Sequence, residues 1–133
     1  MRLVLASLLV DDYDMAIDFF VGSLGFELVE DRADVSSHTG AAKRWVVVRP
    51  KGAATGMVLA KASTPQQVAR VGSQTGERVG FFLETDDFAR DHEAFAARGV
   101  RFLEAPRHEA YGTVAVFEDI AGNRWDLIEY RSK

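Results

Sequence analysis

No cysteine occurs in the 133 residues, so disulfides, thiolate metal sites and cysteine nucleophiles are excluded. Basic runs are missing too. The 16 Lys and Arg against 20 Asp and Glu give a net charge of −4, which argues against a nucleic-acid partner. Long apolar runs are absent as well: Leu3 to Val10 is about half a membrane span. It stops at Asp11-Asp12 with no small-residue cleavage site before the pair, so it reads as a strand of a cytoplasmic protein without a membrane partner. What is present, 47% apolar and 27% charged residues, suits one compact domain. At this length burial of about two thirds of the unfolded surface is typical, and no covalent staple is needed.

After the first strand the hydrophobic period changes. Ile17, Phe20, Val21 and Leu24 recur at i, i+3, i+4 and i+7 and predict one apolar helix stripe. Asp11 or Asp12 can cap its start and Gly25 its end. Strand patterns follow at residues 26–30, 44–49 and 56–61, giving β-α-β-β-β. The polar stretch 31–42 reads as a long loop able to act as a lid.

The order returns later in the chain. A strand over residues 78–85 ends in Asp86-Asp87, a helix carrying Phe88, His92, Phe95 and Ala96 runs to Gly99, and strands follow at 100–104, 112–118 and 123–130. From Asp12 to Gly25 is 13 residues and from Asp87 to Gly99 is 12, which supports a duplicated module. Residues 1–62 form module one, 63–77 a linker and 78–133 module two, within a single domain. In the linker Thr64-Pro65-Gln66-Gln67 predicts a capped short helix with proline in its first turn. The fold class expected is α+β: two modules joined into one curved, eight-stranded mixed sheet, with helices outside and a ligand cup inside.

Val10-Asp11-Asp12-Tyr13-Asp14-Met15-Ala16-Ile17-Asp18-Phe19-Phe20, Leu24-Gly25-Phe26-Glu27-Leu28 and, above all, Phe117-Glu118-Asp119-Ile120-Ala121-Gly122-Asn123-Arg124-Trp125-Asp126-Leu127-Ile128-Glu129 resemble the vicinal oxygen chelate superfamily. That family spans glyoxalase I, bleomycin-resistance proteins, fosfomycin-resistance enzymes, extradiol dioxygenases and methylmalonyl-CoA epimerase. The resemblance implies the cupped fold and a homodimer. It also implies a divalent metal held by residues of the first and last strands of each module. Those positions fall here on Leu5, Gly80, Leu59 and Asp126. One carboxylate is too few for such a cation, so no metal and no other cofactor is expected.

Period-2 alternation extends the cup lining from those positions. Leu5 brings Leu3, Ser7 and Leu9 with it, Leu59 brings Met57 and Lys61, and Gly80 brings Phe82 and Glu84. Asp126 shares its face with Arg124 and Ile128. Of Arg44 and Trp45 one points inward, and the pattern does not say which. Asp126 reads either as a solvent-wetted carboxylate neutralised by Arg124 or a nearby strand, or as the polar anchor or proton acceptor of the cup, since a carboxylate among apolar neighbours tends to a raised pKa. His92 reads as a structural ring on the helix stripe and His38 as a loop residue. His108, with Tyr111 near it, is the catalytic candidate among the histidines.

Three functions compete. The first is metal-independent binding of a small, largely apolar organic molecule. The second is an enzyme using Asp126, Glu84, His108 or Tyr111 as acid or base. The third is a metal-dependent lyase, isomerase or dioxygenase with ligands such as Glu84, His108 and Asp126.

Overall fold

The structure, a computed structural model, describes residues 1–132. The chain divides into two compact units, Met1–Val71 and Gly72–Lys133.

In the first unit the order is β1 (Leu5–Val10), α1 (Tyr13–Ile17), β2 (Glu27–Val35), β3 (Ala42–Arg49), β4 (Gly56–Lys61) and α2 (Pro65–Arg70). Asp12 caps α1, its carboxylate accepting from Met15 N at 2.8 Å. Beyond Ile17 the helix widens into a π-helical segment, Asp18–Ser23, in which Leu24 N donates to Phe19 O at 3.0 Å. That wider turn leaves both Phe20 and Leu24 buried. Gly25 then turns the chain with φ +76°, as expected from its place after the stripe.

The strands align as β1-β4-β3-β2, with β1 parallel to β4 and the other pairs antiparallel. Leu8, Val10, Met57, Leu59, Val46 and Val48 form the face under α1 and are all buried. Each such side chain removed from water contributes about 1.5–3 kcal/mol. The stretch 31–42 is not a long loop. β2 and β3 pair out to Val35 and Ala42, leaving a short turn between them. Most of β2 is exposed on both faces, so it shows no apolar alternation. Its cohesion comes from cross-strand pairs instead. Asp31 binds Arg44 through two oxygens, and Arg32 lies 5.9 Å from the Trp45 ring centroid. Thr64 caps α2, accepting from Gln67 N at 3.1 Å, with Pro65 in the first turn as predicted.

The second unit comprises β5 (Gln74–Glu77), β6 (Val79–Glu84), α3 (Phe88–Ala97), β7 (Arg101–Phe102), β8 (Arg107–Glu109), β9 (Gly112–Glu118) and β10 (Arg124–Tyr130). Its sheet runs β6-β10-β9-β7, with β8 also on β9; β6 is parallel to β10, as β1 is to β4. The repeat read from the sequence is thus a repeat of pairing. The fold is α+β with mixed sheets of four and five strands. The expected second strand of this unit, 100–104, shrinks to two residues and β8 is added after it. Asp87 caps α3 through Arg90 N at 3.0 Å. Phe88, Phe95, Phe117 and Trp125 fill the core between α3 and the sheet. His92 is the structural ring expected, packed between Phe88 and Phe102 at centroid distances of 5.3 and 4.1 Å. Among the described residues no helix is long and apolar enough to cross a membrane.

Candidate functional site

In the second unit alternation sorts side chains to two faces. Trp125 and Leu127 lie under α3, beside Phe117 and Ala115 of β9. Asp126 lies on the other face. Its strand partners there are Phe82 of β6 and Val116 of β9, and the next pairs along are Glu84, Ile128 and Val114. Phe82 keeps 66% of its surface exposed, high for an aromatic ring in register with a carboxylate.

Asp126 Oδ1 is buried and has no hydrogen-bond partner, the one such side-chain atom among the described residues. The donors nearby are committed elsewhere. Arg107 Nε donates to both oxygens of Glu104 at 2.9 and 3.0 Å, and its Nη1 to Glu109 at 3.0 Å. Glu104 also accepts from Val116 N at 3.0 Å, tying the β7–β8 connection to the strand beside Asp126. Burial pushes the Asp126 carboxyl above its ordinary value; Arg107 pulls it down and Glu104 pushes it up.

A carboxyl whose pKa is raised on folding adds its full stability only below the unfolded value. It loses that contribution as pH rises through the folded value, so ionised Asp126 weakens the fold at neutral pH. Asp126→Asn is expected to have a higher urea midpoint than wild type at pH 7, the gap closing near pH 4. A variant less stable at every pH would contradict this.

The other sequence candidates divide. Tyr111, in the β8–β9 turn, engages Arg107 and belongs to the Asp126 neighbourhood. Glu84 shares the Asp126 face and is exposed. Arg124 is exposed at the end of β10, where it donates to Glu77 O at 3.0 Å. His108 does not join them. It pairs in register with Thr113, its Nδ1 3.3 Å from that hydroxyl, and Thr113 pairs with Glu129 on the opposite face from Asp126. Glu104 and Arg107 were absent from the sequence candidates. The one signal available was the charge series Glu104, Arg107, Glu109 around Pro106, two of its members at strand spacing.

In the first unit the register decides between Arg44 and Trp45. Arg44 points to the α1 side, where it lies 5.1 Å from the Tyr13 ring centroid and pairs with Asp14 at 3.0 Å and Asp31 at 2.8 Å. Trp45 faces the other way with Val47, which aligns with Val58 and so with Ser7. Leu5 shares that face, above Gly56. Met57 and Leu59 do not: they align with Ala6 and Leu8 and sit in the core. The sequence reading set β4 one residue out against β1, and a one-residue shift exchanges faces.

The metal positions implied by the resemblance do not form a donor set. Leu5, Leu59 and Gly80 offer no ligand atom, and Thr75 occupies the space beside Gly80, its Oγ1 2.9 Å from where a Cβ would stand. Among the described residues no three His, Asp or Glu side chains converge. A divalent ion needs at least three protein donors, so these residues do not fit one.

The sequence profile of the Glyoxalase/Bleomycin resistance protein/Dioxygenase superfamily matches residues 2–127. The chain belongs to that superfamily. A Shewanella frigidimarina protein of unassigned function is 47% identical over 128 residues, covering 96% of this chain and 92% of its own. Among solved structures, TnmS3, an antibiotic binding protein from Streptomyces sp. CB03234, superposes with a TM-score of 0.80 at 33% identity, covering 98% of this chain and 97% of that one. A glyoxalase/bleomycin resistance protein from the same organism has a TM-score of 0.71 at 32% identity, covering 96% and 99%. Superfamily membership fixes the fold and leaves the chemistry to the side chains.

Proposed function

We propose that this chain binds a small, largely apolar organic molecule without a metal, as a sequestering or carrier protein. The observation that carries the reading is the orphaned Asp126 oxygen on a face that also presents Phe82 and Val116: a polar anchor set among apolar contacts. The likeness to an antibiotic binding protein over nearly the whole chain supports it, and so does the missing donor set. Tyr111 and Arg107 flank the anchor. In this reading the protein is a cytoplasmic homodimer whose partner is a small molecule, and its charge of −4 disfavours nucleic acid.

The test is a thermal-shift screen of metal-stripped protein, in excess chelator, against aromatic antibiotics and apolar compounds, with hits titrated. Saturable binding is expected, about tenfold weaker in Asp126→Ala. Binding abolished by chelation, or unchanged in the variant, would overturn the reading.

A further inference from the structure

The unsatisfied group in the second unit is an acceptor, and that restricts what can complete it. A buried carboxylate oxygen without a donor carries its desolvation penalty uncompensated. The protein does not supply the donor: Arg107 is held by Glu104 and Glu109, and the Val116 N–H is given to Glu104. Beside the carboxylate, in direct register on β6, stands the exposed Phe82 ring. Neighbouring strands are about 5 Å apart, so a group attached to an aromatic ring lying on Phe82 reaches Asp126. Around this point one guanidinium, Arg107, is outnumbered by the carboxyl groups of Glu104, Glu84 and Asp126 itself, which disfavours a carboxylate or phosphate in the occupant.

We infer that the occupant is a neutral or cationic aromatic compound with an O–H or N–H donor on or next to its ring, stacked on Phe82 and hydrogen-bonded to the Asp126 carboxylate. This rests on the binding reading above and narrows it to one ligand class. The raised pKa of Asp126 agrees, because a charge-assisted hydrogen bond from the ligand would relieve it.

Four naphthalene probes test the inference by fluorescence titration of metal-stripped protein: 2-naphthol, 2-(aminomethyl)naphthalene, 2-methoxynaphthalene and 2-naphthoate. The first two are expected to bind about tenfold more tightly than the methoxy compound, and naphthoate more weakly than any. The order of the first two separates a hydroxyl from an ammonium donor, and either order supports the inference. In Asp126→Ala the preference for donors should vanish; Asp126→Asn, which keeps an acceptor without the charge, should retain part of it. Phe82→Ala should weaken naphthol and methoxynaphthalene alike. Equal binding of these two to wild type would overturn the inference and leave the binding reading standing. If no probe binds saturably, both fall.

Discussion

Asp119→Ala is expected to lower the free energy of unfolding by ~4 kcal/mol, a large fraction of what a domain of this size has. Asp119 is 5% exposed, and its carboxylate organises the β9–β10 turn. Oδ1 accepts from the backbone N–H groups of Ala121 at 2.9 Å and of Gly122 and Asn123 at 3.0 Å. Oδ2 accepts from Asn123 Nδ2 and from Trp125 Nε1, both at 3.0 Å. Alanine would leave these donors without their acceptor, and Asn123 and Trp125 are themselves buried where water cannot replace it. The effect reaches the site, because the turn sets the register in which Asp126 meets Val116. Asp119→Asn keeps the shape but swaps one acceptor for a donor, so its cost should fall between those of alanine and wild type. Urea denaturation measures both, and a loss under 1 kcal/mol for alanine would show that the network is incidental.

Gly112→Ala should be nearly as damaging, at ~3 kcal/mol. Gly112 has φ +152°, and a Cβ there would stand 2.1 Å from Glu129 O and 3.0 Å from Tyr130 Cα. Both obstacles are backbone, so β9 must move relative to β10. Gly112 pairs with Tyr130 on one side and Glu109 on the other, so the shift would carry β8 and Arg107 with it. Ligand affinity should fall together with stability. Gly76→Ala is the control: φ is +69° and nothing lies within 4 Å, so only backbone strain of ~1 kcal/mol applies. Equal unfolding midpoints for the two variants would refute the steric account.

Features encoded within a few residues were legible in the sequence. The caps Asp12 and Thr64 and the stripe of α3 need only local spacing, and the structure has them. Features that depend on which strand lies beside which were not legible. Counting along β4 cannot show whether Leu5 aligns with Gly56 or with its neighbour, and that one step sent Met57 and Leu59 to the core. His108 likewise depended on β8, a three-residue strand whose face is set by Thr113. The arm of β2 escaped because a strand wetted on both sides has no hydrophobic period. Asp126 was legible as a carboxylate among apolar residues; its isolation was not, because it results from Glu104 taking up Arg107 and the Val116 N–H.

The claim on which the account depends is that the face around Asp126 takes up an organic molecule with no metal between them. The most direct measurement is a titration with 2-naphthol, in the absence and in the presence of excess chelator, followed residue by residue in amide NMR spectra. The account predicts saturable shifts centred on Phe82, Val116 and Asp126, with the same dissociation constant before and after metal stripping. Shifts that arise only when a divalent ion is restored, or that centre on residues of the α3 face such as His108, would contradict it.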